Sequence, residues 1–269
     1  MAEKEPTRQT TDDDQKLHEL LARLFQAHPW HGITPGQDAP EVVNAYIELV
    51  PTDTVKYELD KPSGHLRLDR PQRFSSLCPT PYGFIPQTYC GASVAKLCEE
   101  RTGQTGISGD GDPMDICVLT EKTITHADLL VRAVPIGGLR MIDGDEADDK
   151  IIAVLESDVA FGQIKDITDV PQGMIDRLRH YFLSYKQLPQ DAPRRVEIAD
   201  VYGCAEAHDV IKRSIADYRA RYGASEQRIG ELRTGGKQLA RAVDALLRDG
   251  RALNVAGTKT PTRSRGAGT

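Results

Sequence analysis

Between Val42 and Val159 the chain repeats one pattern: short runs rich in Val, Ile, Leu and Tyr, separated by Gly, Pro or Asp clusters. VVNAYIELV, TVKYELD, HLRLDR, DICVLT, LLVRAVPI and KIIAVLE each read as a strand. Several short strands with turn punctuation restrict the fold to a sandwich or a closed barrel. VKYELD and HLRLDR flank the four residues Lys61 to Gly64, KPSG, which predicts a hairpin.

The flanks read differently. Three aspartates followed by Leu17, Leu20, Leu21, Leu24 and Phe25 at helical spacing predict an amphipathic helix over Asp12–His28. An irregular connector around Trp30, Pro29–Pro40, follows, and the core is expected to begin near Glu41. Residues 91–109 read as an insertion-like loop with one helical turn. After Pro171, Ile175, Leu178, Phe182 and Tyr185 share a helical face; Ile211, Ile215, Tyr218 and Tyr222 share another before Gly223. A short helix over 237–249 and a disordered, basic tail from Arg251 complete the expectation.

Composition closes off other classes. Hydrophobic residues make up 39% of the chain, enough for a core, and no apolar run approaches the roughly 18 residues that span a bilayer. The first fourteen residues hold no apolar signal-peptide stretch. Five cysteines without CxxC spacing argue against a disulfide framework or zinc site and for a reducing cytoplasm. A net charge of −6 disfavours a general nucleic-acid binder.

The strongest chemical signal is Asp110-Gly-Asp112-Pro-Met-Asp115 running straight into the apolar ICVLT. Alternate residues of an extended chain face the same way, so Asp110 and Asp112 point together and Asp115 approaches from the next turn. Three such carboxylates repel unless a cation neutralises them, and hard oxygen ligands select magnesium, manganese or calcium. A solvated acidic turn is the plainer alternative. An EF-hand fails, because its sixth position holds Asp115 where glycine is needed and strand follows where helix is required. A second cluster, Asp143 to Lys150, mixes acids with a lysine, and Lys56, Glu58, Asp69 and Arg70 gather on the predicted hairpin. Tyr185-Lys186 ends a predicted helix. Gly137-Gly138 and Gly109-Asp110-Gly111 lack Walker or Rossmann context, and the seven histidines show no HExxH spacing. Carboxylates interleaved with lysine and arginine suit a small, highly charged anion bound as its metal complex, with phosphoryl transfer as the natural chemistry.

The ordered series Glu48, Lys56-Tyr-Glu58, Asp69-Arg70, Tyr82-Gly83, the DxDPxD element, Asp143 to Lys150 and Tyr185-Lys186 resembles soluble family I inorganic pyrophosphatases over roughly residues 42–222. The resemblance implies an α+β, mainly β fold: an OB-like, five-stranded barrel with flanking helices. It also implies Mg2+-dependent hydrolysis of pyrophosphate to two orthophosphates without a covalent intermediate, with Mn2+ as a substitute; a homo-oligomer is expected besides, its subunit count not carried over from the resemblance. By matching motifs, Asp110, Asp115 and Asp148 would hold the first metal, with Asp115 reaching a second. Asp143 and Asp148 would hold a metal arriving with substrate, and Glu58 another. Asp112 would be the general base. Lys56, Arg70, Tyr82, Lys150, Tyr185 and Lys186 would grip phosphate, with Glu48 and Asp69 as supporting carboxylates. Residues 42–222 would form the catalytic domain, between an N-terminal arm (1–41) and a C-terminal extension (223–269). Cys78 stands where family members often carry tyrosine, and the 91–109 loop is longer than in compact bacterial members. A metal-binding protein without chemistry and an OB-like nucleic-acid module are the competing readings. The retained cations oppose the first, and the acidic charge opposes the second.

Overall fold

The computed structural model describes residues 26–72, 76–186 and 196–234, with side chains to residue 223. The predicted N-terminal helix, the 237–249 helix and the basic tail lie outside these residues, except for Gln26–His28. The chain divides into two compact units. Gln26–Gly223 forms one; of the other, Met1–Phe25 with Ala224–Thr269, only 224–234 is described.

Ten strands and three helices are described. The strands are β1 (Val43–Leu49), β2 (Val55–Leu59), β3 (Leu66–Pro71), β4 (Tyr82–Phe84), β5 (Ser108–Gly109), β6 (Asp115–Leu119), β7 (Leu129–Asp143), β8 (Glu146–Ala147), β9 (Lys150–Leu155) and β10 (Val196–Gly203). The helices are α1 (Ala92–Thr102), α2 (Gln172–Ser184) and α3 (Cys204–Thr234). β1 pairs with β4, β4 with β6, β6 with β9, β9 with β7, and β7 returns to β1. This closed ring of five is the expected barrel. β10 extends β7, and β2 with β3 forms the expected hairpin as a separate two-stranded sheet.

The alternation of strand side chains explains how the ring is buried on both faces. Ile116, Val118, Ile151 and Ala153 join Val94 and Leu97 of α1 and Val210 and Ile211 of α3 in one apolar cluster. Their neighbours Cys117, Leu119, Ile152 and Val154 join Ile175, Leu178 and Phe182 of α2 in another. Gly83 is required where β4 crosses β1, because a Cβ there would overlap the Tyr46 carbonyl.

The structure adds β4, β5, β8 and β10, which the sequence pattern does not mark as strands, and differs from the expectation in three further places. Residues 91–109 hold an eleven-residue helix rather than a single turn, ended by Gly103 in the left-handed conformation. β7 runs on through Gly137-Gly138 to Asp143, absorbing the punctuation as an irregularity between Pro135 and Gly137. Helix α3 starts at Cys204 and passes through Gly223. Among the described residues, no helix is long and apolar enough to cross a membrane.

Candidate active site

Residues from all five barrel strands and from the β2–β3 hairpin border a cavity of about 340 Å³. Thirteen of the fourteen site residues expected from the sequence line it; Asp69 sits behind, bonded to Arg70 and 3.7 Å from the Lys56 ammonium.

Strand register brings these residues together. β6 and β9 run parallel with Asp115 opposite Lys150, and the Lys150 ammonium bonds both Asp115 and Asp148. The antiparallel β2–β3 pairing puts Lys56 opposite Arg70, while Lys56 bonds Glu58 two residues along its own strand. Glu48 comes from β1, buried, and its Oε1 accepts the Leu59 amide at 2.7 Å, tying hairpin to barrel. Tyr82 lies on β4 across from Cys117.

The acidic loop before β6 is fixed by backbone bonds. Asp110 Oδ1 accepts the Asp112 amide at 2.9 Å, and Gly111 takes a positive φ of 77° to allow that turn. The Cys90 amide donates to the Asp112 carbonyl at 2.8 Å, and the Met114 amide to Thr88 Oγ1 at 2.8 Å. Asp143 closes β7, the Asp148 amide reaches back to the Met141 carbonyl at 2.9 Å, and Lys186 Nζ bonds Asp143 Oδ2 at 2.6 Å. Tyr185 caps α2, its ring beneath the Arg70 guanidinium at 5.9 Å.

The electrostatics are those of crowded charge in a partly dry site. Burial, then the charge of Asp148, pushes the Asp110 carboxyl up to about 8. Burial also raises Asp148. The buried Glu48 rises to about 8, against the pull of the Leu59 amide. Burial alone would lower Lys150, yet Asp115 and Asp148 hold it well above the ordinary lysine value. Tyr82 is raised well above the ordinary phenol range by burial and then by Asp115, so its hydroxyl stays a donor.

Such a donor set suits hard divalent cations, because it offers carboxylate oxygen without sulfur or imidazole. Among the described residues no three acidic, histidine or cysteine groups close around one point. Lysine ammonium groups stand between the carboxylates instead, positive charge in the place where a metal cation would supply it.

Sequence reasoning missed Lys61, Trp30 and Glu146, which also line the cavity. Lys61 bonds Asp112, a contact across 51 positions that no local pattern signals. Cys78 is buried beside this site, lining a separate cavity of about 330 Å³ with Tyr181, Arg177 and His180. Burial pushes its thiol up to about 12.

Barrel and hairpin together surround one cavity in which acidic and basic side chains interleave. Residues 45–219 match the inorganic pyrophosphatase family model. The chain is 52% identical to an inorganic pyrophosphatase of Chlamydia caviae over 195 residues, covering 71% of this chain and 90% of that one. It is 50% identical to one of Chlamydia trachomatis serovar L2, covering 72% and 95%. The crystal structure of inorganic pyrophosphatase from Thermus thermophilus superposes with a TM-score of 0.60 at 29% identity, covering 72% of this chain and 99% of that one. The chain belongs to the inorganic pyrophosphatase family and is an inorganic diphosphatase, a hydrolase that uses a divalent metal.

Proposed function

We propose that the chain hydrolyses pyrophosphate to two orthophosphates with Mg2+ by direct attack of water, without a covalent intermediate. The observation that carries this reading is the interleaving of eight acidic with five basic side chains around one small cavity. A pure cation site gains nothing from nearby lysines, and a pure anion site gains nothing from the carboxylates.

Asp110, Asp115 and Asp148 are the residues that would hold the first metal, Asp115 also a second, Asp143 with Asp148 a substrate-borne one, and Glu58 another. Bound there, divalent cations polarise phosphoryl oxygens and bring the pKa of water toward neutrality. Asp112, half exposed on its bolted loop, takes the proton of the attacking water. Lys56, Arg70, Lys150 and Lys186 bind phosphoryl oxygens and stabilise charge on the departing phosphate, while Tyr82 and Tyr185 donate from their hydroxyls. Glu48 holds hairpin to barrel, and Asp69 aims Arg70.

Residues 42–222 serve as the catalytic domain in this reading, with 1–41 and 223–269 as additions; the protein acts in the cytoplasm as a homo-oligomer, a state that light scattering measures directly. The test of function is orthophosphate release from pyrophosphate by the purified protein, with Mg2+ and then with excess chelator. Rapid, chelator-sensitive release is expected. No release from folded, Mg2+-supplemented protein would overturn the reading.

A further inference from the structure

We propose that Lys61 is an additional phosphate-gripping residue of this site, and that His28, upstream of the family match, holds it in position. The inference rests on the pyrophosphatase reading and extends its substrate contacts.

The lysines lining the cavity follow one pattern. Lys56 bonds Glu58, Lys150 bonds Asp115 and Asp148, and Lys186 bonds Asp143. Each pair joins a proposed phosphate ligand to a proposed metal ligand. Lys61 with Asp112 is a fourth lysine–carboxylate pair on the cavity wall, its carboxylate being the proposed general base. When substrate arrives with its cations, the negative charges gain cationic partners and the ammonium groups become available to phosphoryl oxygens. Lys61 and Asp112 are suited to that exchange: their side chains are 48% and 50% exposed, against 2% for Lys150.

An exposed lysine loses rotamer freedom when it binds, so its backbone must be well placed to make the contact worthwhile. The turn carrying it is fixed from within and from outside. Within, the Asp60 amide donates to the His65 carbonyl and the Gly64 amide to the Asp60 carbonyl, both at 2.8 Å; Ser63 Oγ donates to Asp60 Oδ2 at 2.6 Å. From outside, His28 Nε2 lies 2.9 Å from the Lys61 carbonyl. The other ring nitrogen, Nδ1, accepts the Trp30 and His31 amides at 3.2 and 3.3 Å. Those two bonds assign the proton to Nε2, which then donates to Lys61. His28 also packs on the turn: a Cβ at Gly64, whose φ is +73°, would lie 2.8 Å from the imidazole. The segment is anchored by Trp30, buried, whose indole N–H donates to the Thr88 carbonyl at 2.8 Å. Thr88 is the residue whose hydroxyl receives the Met114 amide. One anchor therefore serves both the Asp112 loop and the turn that carries Lys61.

The experiment is steady-state hydrolysis of Mg2+-pyrophosphate, with inorganic phosphate as a competing ligand, for the full-length protein and Lys61→Met, Lys61→Arg and His28→Ala. Lys61→Met is expected to raise KM about tenfold and to weaken phosphate inhibition by a similar factor, the scale of one lost charge-assisted bond. Lys61→Arg restores most of both. His28→Ala raises KM by several-fold, on the order of one lost positioning bond, and leaves kcat near wild type. Circular dichroism and Trp30 fluorescence confirm that each variant is folded. A Lys61→Met enzyme with KM and phosphate inhibition within about twofold of wild type, or one that loses only kcat, overturns the assignment. A His28→Ala enzyme with unchanged KM overturns the role of His28. An inactive wild type would instead sink the pyrophosphatase reading itself.

Discussion

Replacing Arg140 with methionine tests how the segment that carries Asp148 and Asp149 is supported from beneath. Arg140 is wholly buried, with Nη2 at 3.3 Å from Asp149 Oδ2 and 3.0 Å from Glu206 Oε1, and its guanidinium lies over the Tyr202 ring at 4.9 Å. Removing the cation strands Asp149, 3% exposed, with the Tyr202 hydroxyl at 3.0 Å to support it. Breaking one side of a buried pair costs about 3–5 kcal/mol. Arg140 Nε and Nη1 have no hydrogen-bond partner among the described residues, so the arginine itself carries part of a desolvation penalty. That places the loss near the lower end, about 3 kcal/mol. In a domain of this size each kcal/mol moves Tm by about 2–4 °C, a drop of about 6–12 °C. The assay is urea unfolding of metal-free protein followed by Trp30 fluorescence. Arg140→Met with Asp149→Leu should recover part of that loss, because no charge is left stranded at Asp149 while the buried Tyr202 hydroxyl loses its acceptor. A single variant that loses under about 1 kcal/mol, or a double as unstable as the single, would refute the reasoning.

Asp112→Asn should nearly abolish turnover while leaving the unfolding midpoint close to wild type; retention of most activity would remove Asp112 from its role. Glu48 has a folded pKa of about 8, raised by burial, so it binds its proton more tightly folded than unfolded. Its contribution to metal-free stability is full below about pH 4 and is lost as pH rises toward 8, and Glu48→Gln should flatten that slope in pH-dependent urea melts. Trp30→Ala should cost about 3–5 kcal/mol, read by differential scanning calorimetry, since it empties a buried site and leaves the Thr88 carbonyl unpaired. Calcium alone should support little turnover, because it prefers longer and looser coordination than octahedral magnesium; rapid calcium-driven phosphate release would contradict this.

The barrel was legible because its strands are apolar on both faces and punctuated by turn residues. Ile116–Leu119 and Ile151–Leu155 announce themselves in that way. Five elements escaped, the two-residue β5 and β8 among them, and the other three did so for identifiable reasons. β4 is three residues long, too short for any period. β10, VEIADVYG, carries charges at positions that extend from the barrel edge, so its alternation is weak. Helix α1 hides a stripe of Val94, Leu97 and Cys98 in a stretch flanked by glycine, threonine and serine. At the site, DxDPxD could be read because its carboxylates are local. Lys61 and His28 could not, because their partners lie 51 and 33 positions away and their own neighbourhoods read as a hairpin turn and the end of an amphipathic helix.

The crossing of Asp115 by Lys150 has a consequence for how the molecule comes into being. The two residues are 35 positions apart, on strands that meet in parallel inside an otherwise antiparallel ring, and the ring closes only when β7 returns to β1. Contacts at such separation cost loop entropy before they return any gain, which makes them late events in folding. A nascent chain therefore holds the local DxDPxD acids early but lacks the assembled cavity until the barrel has shut. Divalent cations should accordingly slow unfolding while leaving the refolding rate nearly unchanged, so that the ions act as a latch on a finished barrel and have little part in guiding its construction.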